Sequence, residues 1–222
     1  MMKDAPFEAI IFDLDGTLTA SAPGIVNSIR YALEKVGLPP LSEAELLTCV
    51  GPPLSEQLMA LLHISSQEAL ALLPLYREYF VRQGMFENRP YGGVAELLCS
   101  LRAAGMSMMV CTGKPEPFAK TILEHFELES FFCDCIGSTL DGRLKDKAEA
   151  LAILLKRNGV RRALIIGDRK YDVEAASANG IPCAGVLWGY GSQEELERAG
   201  AAYLCRTPEE LRKLILCTGG EE

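Results

Sequence analysis

The chain has 222 residues, 49% of them apolar, and a formal net charge of −8 at pH 7. That length suits one domain carrying a large insertion, or two modest domains around separate cores. The acidic balance argues against nucleic acid as the main partner, since binding there needs Lys and Arg to neutralise phosphates; a small phosphate could still be held by a local set of metal, lysine and backbone N–H groups.

Residues 1–6 run into the first strand without the apolar stretch of a secretory signal. No run approaches the ~18 apolar residues of a membrane span, so a cytoplasmic protein without a membrane partner is expected. Strand-like runs follow at 8–13, 107–112, 132–136, 163–168 and 182–188, with helical patterns between the later ones. That alternation predicts an α/β fold, a Rossmann-like parallel sheet with helical crossovers.

Between the first two strands the pattern is helical only. Ile25, Ile29, Leu33 and Val36, then Leu54, Leu58, Leu61 and Leu62, then Leu72, Leu75, Tyr79 and Phe80 recur at helical spacing. Turn signals at Gly37-Leu38-Pro39-Pro40, Gly51-Pro52-Pro53 and His63-Ile64-Ser65-Ser66 divide the stretch into about four helices, a small bundle. We expect residues 20–89 to form an inserted all-helical cap domain, with 1–19 and 90–222 as the α/β core. The chain crosses between them near 18–23 and 87–91, which suits hinged closure over the strand ends. Residues 218–222 read as a frayed tail.

Three strands finish in residues able to do chemistry: Asp13 with Asp15, Thr112 with Gly113, and Asp168. In a parallel sheet these ends share one edge, where open α/β sheets bind ligands, and the Gly16-Thr17 that follows the first is expected to turn free N–H groups toward an anion. Thr112 either meets a phosphate near the following helix start or simply caps that helix. Asp146-Lys147-Ala148-Glu149 has capping-box spacing; Lys147 at that helix start, where a cation opposes the dipole, is either a surface lysine or, if the helix start faces the strand ends, a phosphate-binding one. Lys145 is the alternative candidate. Asp168 and Asp172 with Asp13 make an oxygen-only set that suits Mg²⁺ rather than zinc or copper.

The eight cysteines are scattered without a C-x-x-C pair, which predicts reduced, mostly buried thiols; Cys133 and Cys135 alternate across a strand and make a poor metal pair. His63 and His125 read as surface or packing residues. Arg30, Arg77, Arg82 and Arg89 could meet a second anionic group on a substrate, with helix-surface roles as the simpler reading.

Asp13-Leu14-Asp15-Gly16-Thr17, Thr112, Lys147 and Gly167-Asp168 with Asp172 follow the order and spacing of the haloacid dehalogenase-like superfamily. Over essentially its whole length the chain looks most like the phosphoglycolate phosphatase and 5′-nucleotidase branch, helical cap included. The resemblance implies a phosphatase acting on a small phosphorylated metabolite. Asp13 would be the nucleophile that forms an aspartyl-phosphate, and Asp15 would protonate the leaving oxygen and then deprotonate water. By the same resemblance Mg²⁺ is held by Asp13, the main-chain oxygen of Asp15 and Asp168, with Asp172 ligating through water or positioning the others, and the phosphoryl group is held by Thr112, Gly113 and Lys147. Ala20-Ser21 departs from a frequent Asp-Ser pair at the hinge. Asp15 argues against the dehalogenase branch, and Lys35, the only lysine of the insertion, sits near a helix end and argues against a Schiff-base mechanism. A sugar phosphomutase and a non-catalytic binding protein of the same fold remain as alternatives.

Overall fold

The computed structural model describes residues 7–141, 144 and 146–217. Lys145 and the tail 218–222 lie outside the described residues. The sheet has six parallel strands in the order β3-β2-β1-β4-β5-β6. They are β1 (Ala9–Phe12), β2 (Ser107–Pro115), β3 (Asp134–Ser138), β4 (Ala163–Gly167), β5 (Cys183–Val186) and β6 (Tyr203–Cys205). Helices α1 (Ala22–Val36), α2 (Glu43–Thr48), α3 (Leu54–Leu62), α4 (Ser66–Tyr79) and α5 (Val94–Ala103) lie between β1 and β2. After β2 come α6 (Glu116–His125), α7 (Lys147–Asn158), α8 (Lys170–Ala178), α9 (Gln193–Ala199) and α10 (Pro208–Cys217).

All four residues of β1 are buried, Ile10 and Phe12 in one apolar cluster and Ala9 and Ile11 in the other. A short uninterrupted apolar run is what a central parallel strand needs when helices cover both faces. Register then sets the site: Phe12 lies opposite Val110 on one side and Ile166 on the other. The chain order reverses around β1, so the ends of β2, β1 and β4 open on a topological switch point.

Two expectations need correction. β2 continues to Pro115, with a register irregularity against β3 between Cys111 and Pro115, so α6 begins beyond the predicted helix start. A sixth strand, β6, joins the five that are expected: its three residues pass from exposed Tyr203 to buried Cys205 at a sheet edge, too short a run to carry a readable apolar period.

The segment between β1 and α5 is helical as expected. Ser42 and Ser65 form capping boxes with Glu45 and Glu68, which fixes where α2 and α4 begin. α4 carries Pro74 in its interior and runs into a π-helical turn, Phe80–Gly84. There α1 packs so closely that a Cβ on Gly24 would fall 1.7 Å from the Gly84 carbonyl oxygen. Ile25, Ile29, Leu46, Leu58, Leu72 and Phe80 join the same apolar cluster as Ile10, Phe12 and Val110. The two chain crossings lie side by side: Ala20 N–H donates to the Arg89 carbonyl (2.8 Å), Tyr91 N–H to the Leu18 carbonyl (3.1 Å), and Asn88 Nδ2 to Thr19 Oγ1 (3.1 Å).

Candidate active site

Beyond β1 the backbone keeps one more ladder bond, from Asp13 N–H to the Ile166 carbonyl (2.8 Å), and then folds into a tight turn. The Leu14 carbonyl accepts from the N–H groups of Thr17, Leu18 and Thr19, while Gly16 N–H donates to the Thr19 carbonyl (2.8 Å). The Gly16 and Thr17 amides are therefore spent inside the turn rather than offered to an anion, contrary to the expectation from sequence. Gly16 serves another purpose. Its φ is +85°, and a Cβ there would lie 2.2 Å from Asp168 Oδ2, so the turn can close against that carboxylate only without a side chain.

Asp13, Asp168 and Asp172 each present a carboxylate oxygen within 4.8 Å of the others, and all three residues are buried. Lys147 Nζ bridges two of them, 2.9 Å from Asp13 Oδ1 and 2.5 Å from Asp172 Oδ1. Asp168 is held from both sides, accepting from Thr17 Oγ1 (3.3 Å) and from Tyr190 N–H (2.8 Å). Asp172 Oδ2 accepts the Arg169 N–H (3.1 Å) at the start of α8.

Crowding shows in the protonation energetics. Burial pushes the Asp13 carboxyl up to about 6 against the pull of Lys147, and repulsion from Asp172 and Asp15 adds to it. Asp168 is driven up to about 8, first by burial and then by Asp172 and Asp13, against the Tyr190 N–H. Burial alone would lower Lys147, but Asp13 and Asp172 outweigh it and hold the ammonium above its ordinary value. A buried cluster with only oxygen donors, in which Asp13 and Asp168 resist ionising, fits a divalent cation of the Mg²⁺ kind. The donors would be Asp13, Asp168 and Asp172.

Lys147 opens α7, where Asp146 Oδ1 accepts the Ala148 N–H (2.8 Å), so the Asp146 cap falls on the second helical residue rather than on Glu149. Thr112 does not cap α6: its hydroxyl oxygen accepts the Lys114 N–H (3.3 Å), and Pro115 precedes the helix. Thr112 is buried and Gly113 exposed at the end of β2, on the strand beside Asp13. Space remains over Gly113, where a Cβ would meet only the Gly51 carbonyl oxygen, at 3.9 Å. The Val50-Gly51 turn of the helical segment thus lies across the strand ends, tied to α8 by Arg169 Nη1 donating to the Val50 carbonyl (2.5 Å).

Three residues of the site carry no signal in the sequence strong enough to mark them. Lys114 is buried and places Nζ 2.9 Å from Asp15 Oδ2, so the second aspartate has its own cation. Its only signal was position, two residues past Thr112. Trp188 Nε1 donates to the Thr17 carbonyl (3.0 Å), and the Tyr190 hydroxyl accepts the Ala22 N–H (2.8 Å) while its own N–H holds Asp168. These two brace the Asp15–Thr17 turn from β5's far end, a contact across more than 160 positions that no local pattern announces.

With four buried aspartates and two lysines at one sheet edge, comparison with known proteins is decisive. A family model described as haloacid dehalogenase-like hydrolase matches residues 10–186. The chain belongs to this family. It is 37% identical over 218 residues to a 5′-nucleotidase of Pseudomonas aeruginosa, covering 96% of this chain and 99% of that one. It is 39% identical over 214 residues to the tyrosine-protein kinase PtkA of Mycobacterium tuberculosis (94% and 72%), and 32% identical over 203 residues to a phosphoglycolate phosphatase of Yersinia pestis (88% and 88%). A predicted phosphatase from Clostridium acetobutylicum superposes with a TM-score of 0.91 at 42% identity, over 95% of this chain and 98% of that one. Family and relatives together place the haloacid dehalogenase-like chain among the phosphatases. Among the described residues no helix is long and apolar enough to cross a membrane.

Proposed function

We propose that the protein is a Mg²⁺-dependent phosphatase that hydrolyses a small phosphate monoester, of the phosphoglycolate or 5′-nucleotide type, through an aspartyl-phosphate on Asp13. The observation that carries this reading is the Asp13–Lys147–Asp172 bridge beside Asp168, with Asp15 two residues beyond the nucleophile. Asp13, the main-chain oxygen of Asp15, Asp168 and Asp172 would hold Mg²⁺, which when bound offsets the charge of the carboxylates and of the phosphate.

A carboxylate attacks a dianionic ester poorly unless cations lower the repulsion and fix the approach. Lys147 does both for Asp13, and with Thr112 and Gly113 it would hold the phosphoryl oxygens. An Asp13 oxygen forms the new bond to phosphorus as the ester P–O bond breaks, and Asp15 gives its proton to the departing alkoxide oxygen. Water then attacks phosphorus, its proton passes to Asp15, and Asp13 is released. The helical segment 20–89 acts as a cap that excludes bulk water and admits small metabolites rather than folded phosphoproteins or nucleic acid.

Hydrolysis of p-nitrophenyl phosphate in Mg²⁺ tests the reading. We expect phosphate release that EDTA stops, and Asp13→Asn should lose both turnover and the acid-stable, alkali-labile label from a radioactive ester. Full activity in Asp13→Asn, or transfer from ATP to protein tyrosine in place of hydrolysis, would refute it; a hexose phosphate isomer as sole product would point to a mutase.

A further inference from the structure

Granted the phosphatase reading, we propose that Lys114 is a specificity-determining residue, which binds a second anionic group on the alcohol side of the ester. Lys114 is buried, its side chain 5% exposed against 10% for Lys147. Three of the insertion's four arginines are engaged elsewhere: Arg30 pairs with Glu43, Arg82 with Glu78, and Arg77 donates to the Leu140 carbonyl. The two lysines of the site divide three of its four aspartates between them. Lys147 serves Asp13 and Asp172 on the attacking side, whereas Lys114 serves Asp15, the group that faces the leaving oxygen.

The position of Lys114 is fixed by two chains of contact. Its backbone lies so close to β3 that a Cβ on Gly137 would fall 2.4 Å from its carbonyl oxygen. Its ammonium stands 4.6 Å from the ring centroid of Phe80, on the π-helical turn, and Phe80 in turn stacks on Tyr76 at 5.4 Å. An ammonium has three N–H donors, and Asp15 Oδ2 takes one at 2.9 Å. Asp15 Oδ1, beside it, is buried without a hydrogen-bond partner. Any alcohol that reaches Asp15 therefore meets Lys114 and the aromatic wall as well. Asp15 already offsets the cost of holding the ammonium here but takes one N–H donor, and a neutral alcohol would supply no anion to the other two. A carboxylate or phosphate next to the ester oxygen would supply one.

The test uses full-length protein in Mg²⁺, with p-nitrophenyl phosphate as reporter and 2-phosphoglycolate, pyrophosphate and ethyl phosphate as competitors. Phosphoglycolate and ethyl phosphate differ only in a carboxylate for a methyl group. We expect the wild type to bind at least one of the two competitors that carry a second anionic group more tightly than ethyl phosphate. Lys114→Met should cut that advantage about tenfold to a hundredfold, the scale of one charge-assisted hydrogen bond, and Lys114→Arg should recover part of it, which separates lost charge from lost fold. A Lys114-dependent advantage for pyrophosphate alone identifies the second anion as a phosphoryl group. No advantage in the wild type, or the same advantage in Lys114→Met, overturns the proposal. Failure to hydrolyse the reporter at all instead overturns the phosphatase reading.

Discussion

Replacing Asp168 by Asn should stabilise the metal-free protein while destroying its response to Mg²⁺. The carboxyl of Asp168 is held at about 8 in the folded chain by burial and by its neighbours Asp172 and Asp13. In the unfolded chain it titrates near an ordinary value of about 3.9. The folded value is the higher one, so the penalty is absent below about pH 4, grows as pH rises, and levels off above about 8. At pH 7 the interval alone corresponds to at most about 4 kcal/mol, and because the crowded set shares its repulsion we take about 2 kcal/mol as relieved by one neutral residue. Asn keeps an acceptor for the Tyr190 N–H, and the Thr17 hydroxyl can rotate to accept from the new amide. For a chain of this size about 2 kcal/mol is a rise in Tm of about 4–8 °C. Thermal melts in EDTA at pH 5, 7 and 8 should show the gap widening with pH. Added Mg²⁺ should raise the wild-type Tm and leave Asp168→Asn unmoved, with hydrolysis lost. A variant that melts below the wild type in EDTA at pH 8, or one that Mg²⁺ stabilises equally, would show that the carboxylate cluster is not waiting for a cation.

Two further substitutions probe the same cluster from other sides. Lys147→Met removes the cation that Asp13 and Asp172 share, and should destabilise the metal-free protein by about 3–5 kcal/mol in urea titration. Mg²⁺ should restore part of that loss but not the turnover; unchanged stability in EDTA would mean that the bridge is incidental. Gly16→Ala drives a methyl group into Asp168 at a positive-φ position, so we expect a loss of about 2 kcal/mol or more together with a weaker Mg²⁺-dependent Tm shift. A Gly16→Ala protein with wild-type metal response would remove the turn from the account.

Asp13, Asp168, Asp172 and Lys147 were legible in the sequence because each sits at a strand end or helix start, and a parallel sheet gathers those ends on one edge. Register did the rest, bringing Phe12, Val110 and Ile166 level. Lys114 and Tyr190 were not legible. Lys114 lies in the stretch where β2 outlasts its expected end and slips in register against β3, so its direction depends on a local irregularity. Tyr190 acts through a contact 168 residues away, with Ala22, and a distant turn that braces another has no period to betray it. The misread Gly16-Thr17 amides have a similar origin: spacing shows which residues can turn, not which carbonyl receives them.

Asp13 and Asp15 are two residues apart, and on a strand-like segment that spacing points both side chains to the same face. Sequence alone therefore gives no reason why one should attack and the other move protons. The difference comes from what each meets. Asp13 meets α7 and α8, through Lys147 and Asp172, and is drawn into the carboxylate cluster that a cation would bind. Asp15 meets the end of β2, through Lys114, and through that lysine the Phe80 ring of the helical segment. Movement of that segment would leave Asp13 and its partners in place, since they all belong to the sheet and its flanking helices, but would open the aromatic side of the Lys114 contact. On the proposed reading, the attacking group is thus held by the sheet and its flanking helices, while the leaving group is met where the helical segment touches Lys114.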